Sequence, residues 1–518
     1  MKVRALCVAF FIVLLSGINV QTVKGTTPYT IMIYMNGSDL ERKIGAATED
    51  LIEMLESGLR SQNANVIILT GGSIYWQNDV VPSNECVLWY VADGELFEIE
   101  RIGLKNMDDP DTLADFITFA MGHYPAQKYG LVMWDHGGGA ISGFGHDEIF
   151  ETKEPNNKSM TLLEMDYAFK KAGLGGQKLE WLGFDSCLMA TIEMALISAQ
   201  YAKYLIASED LEPGDGWDYK FLGFLNRRPH ASGYILGREI VDTFMNFYGP
   251  DSDEILTLSV TDLNKVQPVM DAMGNLMKKC LEKLTVGEYN QIQNLTSSTN
   301  AFTYLAKRRG LTKTFGEGSP RDNYNDMVDI GDMAHHLSDL FPHEARQVHI
   351  ALNDAVLYNR YNSLTPLYGL SSYYVYGGLF RESLELYAEL DVDEAYTEYL
   401  LNFFEKLYNR PLNRPSHLTT PLFKTIMGRD AYLYRNARLL GGTRYAAPAS
   451  VNGQDCDVIV CFKSGEYEVL GYRAIGNATK QKGYEYFEDG DKVSFYYPDK
   501  EGSWQLGQEK IYDLSKKY

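Results

Sequence analysis

Short apolar runs alternate with amphipathic segments through the first half of the chain. YTIMIYM (29–35), NVIILT (65–70) and YGLVMWD (129–135) have the length and the apolar content of buried strands. Segments with apolar residues at helical spacing stand between such runs, for example DPDTLADFITFAMGHY (109–124), which opens on a capping aspartate. Strands that alternate with helices predict a mostly parallel sheet covered by helices on both faces, and hence an α/β fold.

The alternation continues to about residue 263. CVLWYVADGELFEIERIG (86–103) departs from it, because apolar and polar residues alternate on both sides of Asp93-Gly94, which predicts a β-hairpin. Further strands are predicted at KLEWLGFD (178–185), KYLIASED (203–210) and ILTLSVTDL (255–263), and helices at TLLEMDYAFKKAG (161–173) and LMATIEMALISAQ (188–200).

The rest of the chain has other patterns. Residues 264–414 are mainly helical in spacing, and residues 415–518 are rich in alternating β-like runs. Residues 1–25 have an early positive charge, an apolar run of about a dozen residues and then small and polar residues, the layout of a secretory signal peptide. We therefore predict a signal peptide (1–25), an α/β domain (26–263), a mainly helical region (264–414) and a small β-rich domain (415–518).

Net charge and cysteine content limit the classes of partner and the chemistry that the protein can have. The formal net charge of −21 argues against nucleic acid as a partner. No apolar run long enough to span a membrane follows the signal peptide, so we expect a protein that is secreted or held in the cell envelope. Removal of Cys7 with the signal peptide leaves five of the six cysteines, an odd number, so at least one thiol is unpaired even under oxidising conditions.

Two predicted strand ends carry candidate chemistry. The strand 129–135 leads into His136 and three glycines, and the strand 178–185 leads into Cys187. In an open parallel sheet, sites form beyond the carboxyl ends of the strands, so the two side chains share an edge if these strands are neighbours. A helix directly after Cys187 would lower the pKa of its thiol, and the N–H groups of Gly137 and Cys187 could form an oxyanion hole. The alternatives are a buried structural cysteine and an ordinary loop histidine.

The motifs around these residues resemble those of a known family. The separation of 187 − 136 = 51 residues is close to the histidine-to-cysteine distance of about 50 in caspases. WDHGGG and FDSCLMA, with YTIMIYMNGSDLE and NMDDPDTLADF, resemble the clostripain family of cysteine peptidases. The resemblance implies a caspase-like fold, a catalytic dyad of His136 and Cys187, and cleavage after Arg or Lys.

The resemblance also implies an acidic pocket for the basic side chain. Asp185 and Asp215 match the family's two acidic positions, and Trp217 could form a wall. Carboxylates bind guanidinium through two hydrogen bonds and ammonium as a point charge. The alternatives are that Asp185 caps the following helix and that Asp215 is only a turn residue.

Members of this family are often made as precursors that cut their own chain after a basic residue between the catalytic histidine and the catalytic cysteine. The polar stretch 147–160 is predicted to be an exposed loop, and Lys153 or Lys158 is the expected cut site, giving a light and a heavy chain that stay paired. We expect no metal site and no cofactor, although the acidic composition is compatible with the calcium dependence of some relatives. Two alternative functions stay open: a non-enzymatic binder of protein or glycan on this fold, and a caspase-fold peptidase with another substrate preference.

Overall fold

The computed structural model divides into two compact units, Met1–Leu276 with Thr303–Tyr374, and Met277–Phe302 with Val375–Tyr518. The predicted helical region therefore contributes residues to both units, while the predicted domain boundaries stay predictions. The signal peptide lies outside the described residues. The structure describes residues 27–153, 159–250, 252, 256–285, 314–315, 327–363, 366–374, 384, 387–388, 390, 392–408, 422–426, 429–436, 443–463, 466–474, 487–498, 504–506 and 508–513.

A sheet of nine strands organises the first unit. The strand order is β11-β8-β7-β6-β5-β1-β2-β3-β4, and β12, β10 and β9 form a separate small sheet. The central strands β2, β1, β5, β6 and β7 are parallel neighbours, whereas β3, β4, β8 and β11 pair antiparallel at the two sides. The strands are β1 (Thr27–Asn36), β2 (Ala64–Gly71), β3 (Cys86–Ala92), β4 (Glu95–Gly103), β5 (Ala126–Trp134), β6 (Leu179–Asp185), β7 (Ala202–Ala207), β8 (Thr257–Asp262), β9 (Thr314–Phe315), β10 (Met327–Asp329), β11 (Val356–Tyr361) and β12 (Ser371–Tyr373).

Helices cover both faces of this sheet. Ile31 and Ile33 of β1 share one core with α2, α8 and a 3-10 helix at Tyr219–Asn226. From the opposite face, the ring of Tyr34 meets that of Phe116 in α3, with centroids 5.9 Å apart. The helices are α1 (Ser38–Ile44), α2 (Ala46–Glu56), α3 (Pro110–His123), α4 (Gly139–Ser142), α5 (Glu148–Lys153), α6 (Leu162–Lys171), α7 (Ile192–Ser198), α8 (Gly233–Tyr248), α9 (Val266–Thr285), α10 (Ile330–Leu337) and α11 (Pro342–Ala355).

These features confirm the predicted fold class. The parallel centre needs cover on both faces because its strands are apolar on both sides. The predicted hairpin forms as β3 and β4, with Asp93 and Gly94 both at positive φ in the turn. The predicted cap of α3 also forms, since the Asp109 side chain accepts a hydrogen bond from the Asp111 N–H.

The second unit is rich in β-structure, as predicted. Its strands pair antiparallel around a small core that includes Ala449, Val458 and Phe495. No helix in the described part of either unit is long and apolar enough to cross a lipid bilayer. The elements of this unit are α12 (Glu394–Tyr408), β13 (Leu422–Ile426), β14 (Arg429–Asn436), β15 (Thr443–Val451), β16 (Gln454–Lys463), β17 (Glu466–Ala474), β18 (Lys492–Pro498), β19 (Trp504–Leu506) and β20 (Lys510–Ile511).

Candidate active site

The loops that follow β5 and β6 meet at the carboxyl edge of the sheet. The two strands are parallel neighbours in register from Gly130 to Trp134, which pairs with Asp185. The chain leaves both strands on the same side, and His136 and Cys187 each follow two residues after that last pair. A β-carbon added to Gly137 would lie only 2.0 Å from the carbonyl oxygen of Cys187. The two loops are therefore in contact, as their expected adjacency requires.

The thiol of Cys187 is held by the backbone of one residue. Its sulfur accepts a hydrogen bond from the Glu212 N–H at 3.2 Å and donates toward the Glu212 carbonyl oxygen at 3.7 Å. Burial raises the pKa of the Cys187 thiol to about 12, against the lowering effect of that N–H, with further repulsion from Glu212 and Asp210. In this arrangement the sulfur is a protonated thiol near neutral pH.

The predicted helix directly after Cys187 is wrong. The helix α7 begins at Ile192 with Thr191 as its cap, so four residues separate it from the cysteine. Leu188 has φ of 64°, and its N–H donates to the carbonyl of Asp210 at 3.0 Å. The segment is an irregular loop that is hydrogen-bonded to the chain after β7. A helix dipole therefore does not lower the pKa of the Cys187 thiol.

His136 is paired with an acid that sequence reasoning missed. Its Nε2 lies 2.7 Å from Oδ1 of Asp39, which sits in α1 directly after β1, the neighbour of β5 on the other side. Burial alone would raise the pKa of Asp39, but hydrogen bonds from Lys43 and His136 lower it to about 2. Asp39 is therefore ionised and can orient the imidazole. Its position at the end of a central parallel strand was the available signal.

The described residues contain no hydrogen bond between the side chains of His136 and Cys187, so each is oriented by a different partner. The imidazole is partly open to solvent, with 44% of its side chain exposed. The N–H groups of Gly137 and Cys187 donate to no other described residue. These two donors are therefore available for an oxygen atom that carries developing negative charge.

Buried carboxyl groups lie near the loop that carries Cys187. Asp185 accepts hydrogen bonds from the Trp217 N–H at 3.1 Å and the Tyr219 hydroxyl at 2.9 Å. Burial outweighs these bonds and raises the pKa of Asp185 to about 7. Asp50 of α2 accepts from Trp134 Nε1 at 2.6 Å, and burial, followed by repulsion from Asp185, raises its pKa well above the usual range.

Glu212 adds a third buried carboxyl group. Burial, then repulsion by Asp185, raises its pKa well above normal, and the neighbouring Trp217 indole offsets part of that rise. Neither Glu212 nor Asp50 was identified from the sequence. Glu212 lies in a turn-forming stretch, SEDLEPGDGW, that also contains Asp215. Its position close to Asp215 was the only indication in the sequence that Glu212 belongs to the site. Asp50 lies inside a helix, and nothing in the sequence indicated a role for it.

The two other predicted pocket residues, Asp215 and Trp217, differ in exposure. Asp215 is exposed on the turn, near enough to add to the repulsion that raises the pKa of Asp50. Trp217 is buried at 1% exposure, and its indole occupies the space that a side chain at Gly183 would need. Trp217 therefore belongs to the core behind the carboxyl groups and is not an exposed wall.

The predicted exposed loop at 147–160 is partly wrong. Residues Glu148–Lys153 form α5, and Glu148 is buried and paired with Arg42 at 2.8 Å. Lys153 is the last residue of this helix, and Lys158 lies outside the described residues. In the described part of the chain, no group of three or more His, Cys, Asp or Glu side chains could hold a metal ion.

Comparison with known proteins places this arrangement in a family. The model of the clostripain family, peptidase family C11, matches residues 33–399. This range contains both loops of the candidate site. The chain belongs to the clostripain family of cysteine peptidases. The resemblance predicted from the sequence motifs is thereby confirmed.

Two kinds of relative support membership of the clostripain family. Clostripain of Hathewaya histolytica is 29% identical over 227 residues, a match that covers 37% of this chain and 40% of clostripain's length. A secreted C11 cysteine protease from Bacteroides thetaiotaomicron, solved with an irreversible peptide inhibitor, has a TM-score of 0.51 at 17% identity, covering 70% of this chain and 99% of its own. An inactive zymogen C11 protease from Parabacteroides distasonis has a TM-score of 0.50 at 19% identity, covering 73% and 99%. The two structures support the caspase-like fold.

Proposed function

We propose that this protein is a cysteine endopeptidase that cleaves after Arg or Lys, with Cys187 as nucleophile and His136 as the group that transfers protons. The observation that carries the proposal is the contact between the loop of His136 and Gly137 and the loop of Cys187 at one edge of the sheet. Membership of the clostripain family supports the same reaction class.

The reaction follows the chemistry of acyl transfer. The Cys187 thiol passes its proton to the imidazole of His136 as its sulfur attacks the substrate carbonyl carbon, and the N–H groups of Gly137 and Cys187 stabilise the resulting oxyanion. His136 gives a proton to the leaving amine, which leaves a thioester on the enzyme. Water, deprotonated by the same imidazole, then hydrolyses the thioester. Asp39 keeps the ring in one orientation throughout.

Negative charge beside the nucleophile supports selection of a basic side chain. The Asp185 carboxyl group lies two residues before Cys187, and the exposed Asp215 adds charge from the adjacent turn. A guanidinium or ammonium group that reaches Asp185 would favour its ionised form and gain a charge-assisted hydrogen bond.

Self-processing at Lys153 or Lys158 is part of the proposal. Both lysines lie between His136 and Cys187, and a structurally similar relative is described as an inactive zymogen. The wild type is expected to separate into a light and a heavy chain in intact-mass analysis, while Cys187→Ala stays whole. Export to the cell surface or medium follows from the predicted signal peptide, and a C11 relative is described as secreted. Activity with and without a calcium chelator tests calcium dependence.

A panel of fluorogenic peptides that differ only before the cleaved bond tests the reaction and its specificity together. The panel holds Arg, Lys, citrulline, Leu and Asp at that position. Wild type is expected to cleave only the Arg and Lys peptides, and Cys187→Ala none. Cys86→Ala, which removes another free thiol, is the matched control and should behave as wild type. Cleavage by Cys187→Ala, or a preference for Asp or Leu, would contradict the proposal.

A further inference from the structure

Glu212 lies next to both the Cys187 thiol and the carboxyl group of Asp185. Its backbone N–H and carbonyl oxygen are the hydrogen-bond partners of the Cys187 sulfur. Its carboxyl group is close enough to that of Asp185 for each to affect the pKa of the other. One residue therefore connects the nucleophile to the group that is proposed to receive the substrate's basic side chain.

The Glu212 side chain lacks a partner that balances its charge. Both of its carboxyl oxygens are buried, and neither accepts a hydrogen bond of normal geometry from any described residue. Burying a carboxylate without hydrogen bonds costs free energy, so the Glu212 carboxyl group stays protonated beside Asp185. Asp185, in contrast, has bonds from the Trp217 N–H and the Tyr219 hydroxyl. A cation in this place would satisfy Glu212 and relieve its repulsion with Asp185.

The buried position of the Cys187 thiol against the Glu212 backbone is unfavourable for catalysis. The thiolate is the nucleophile, but burial and the contact with the Glu212 carbonyl oxygen favour the protonated thiol of Cys187, and the opposing bond from the Glu212 N–H does not outweigh them. Release therefore requires the backbone around residue 212 to shift relative to Cys187. The side chain that a bound cation would attract belongs to that same residue.

We propose that Glu212 binds the basic side chain of the substrate together with Asp185, and that this binding moves the Glu212 backbone away from Cys187 and frees its thiol. The inference rests on the proposed function and adds a third acidic residue to its specificity. The proton on Glu212 passes to solvent when the cation enters. A substrate without a cationic side chain leaves the thiol held, so specificity acts on the chemical step as well as on binding.

The test measures alkylation of Cys187 by iodoacetamide near neutral pH, with the site assigned by peptide mapping. The added ligand is n-butylguanidinium, which carries the charge of an arginine side chain but no bond to cleave. n-Butylurea, which has the same shape without the charge, is the matched ligand. Each unit by which the thiol pKa falls gives about ten times more thiolate below that pKa. Saturating n-butylguanidinium is therefore expected to speed alkylation at least about tenfold, and n-butylurea to leave it unchanged.

Variants locate the effect. Glu212→Gln is expected to abolish the acceleration, and Glu212→Asp to retain part of it because the charge remains on a shorter side chain. Glu180→Gln removes another buried carboxylate, at the opposite end of β6, and should keep the full acceleration. Equal acceleration by both ligands, no acceleration in wild type, or full acceleration in Glu212→Gln would each overturn the inference.

The outcomes separate this inference from the proposed function. If the peptide panel shows cleavage only after basic residues while alkylation ignores n-butylguanidinium, the link through Glu212 is refuted and the proposed function stands. If the panel shows no basic preference, the proposed function fails first. The comparison of the two ligands on wild type needs no variant, so it can refute the inference even if Glu212→Gln does not fold, and a partial loss of acceleration in Glu212→Asp then tests the residue.

Discussion

Gly137→Ala tests whether the two loops of the site are in contact. The new β-carbon would lie 2.0 Å from the Cys187 carbonyl oxygen and 3.0 Å from the Ser186 hydroxyl oxygen and Met189 Cγ. The nearest neighbour is backbone, so it cannot rotate away as a side chain would. Gly137 does not have positive φ, so alanine is compatible with its backbone conformation and the added methyl group alone causes the change.

The size of the effect follows from the overlap. Real β-carbons do not approach other atoms closer than 3.0 Å, so the two loops must move apart by at least 3.0 − 2.0 = 1.0 Å. A displacement of about 1 Å in a catalytic arrangement reduces the rate by about 100-fold. Overpacking of this kind also lowers the free energy of unfolding by about 1–3 kcal/mol. The effect on kcat/KM is therefore expected to be larger than the loss of stability alone explains.

The assay compares kcat/KM for an arginine peptide with the thermal midpoint of unfolding. Gly122→Ala is the matched control, because Gly122 is exposed in α3 and nothing lies within 4 Å of its added β-carbon. That control is expected to keep full activity and to gain about 0.5–1 kcal/mol of stability from its helical position. A Gly137→Ala enzyme with kcat/KM within twofold of wild type would refute the contact between the loops.

Three further predictions concern orientation, pH and packing. Asp39→Asn removes the charge that orients His136, so kcat for the arginine peptide is expected to fall at least about tenfold with little change in KM; an unchanged kcat in steady-state kinetics would show that the hydrogen bond to Asp39 is dispensable. Because burial raises the pKa of Asp185 to about 7 and a cation binds its ionised form, kcat/KM for arginine peptides should rise with pH and level off above about 7; a profile for Asp185→Asn with the same inflection would exclude Asp185 as its source. Gly183→Ala places a β-carbon 2.7 Å from the Trp217 ring, so calorimetry is expected to show a loss of about 1–3 kcal/mol, and an unchanged thermal midpoint would contradict the tight packing.

The sequence was most informative where one local pattern determines one local structure. Apolar runs of strand length predicted the parallel centre of the sheet, and the two strand ends predicted that His136 and Cys187 share an edge. The helix after Cys187 was misplaced because LMATIEMALISAQ is mostly apolar from its first residue, so its composition does not show where the helix begins. Hydrogen bonds from Leu188 and Ala190 to the chain after β7 hold the first residues of that run in a loop.

Contacts between distant segments were beyond sequence reasoning. Asp39 reaches His136 across 97 positions, and Glu212 reaches Cys187 across 25. Neither residue belongs to a motif with a fixed spacing to its partner. The raised pKa of the Cys187 thiol has the same origin, because it depends on burial by a loop whose path follows from tertiary packing.

Covalent labelling tests the central claim most directly. The probe is a peptide acyloxymethyl ketone that ends in arginine, and the readout is the mass of the adduct with its position from peptide mapping. Wild type should carry one adduct, on Cys187, and His136→Ala should form it at least about 100-fold more slowly. An adduct on Cys86 or Cys280 instead, or an enzyme that hydrolyses arginine peptides while Cys187 stays unlabelled, would contradict the account.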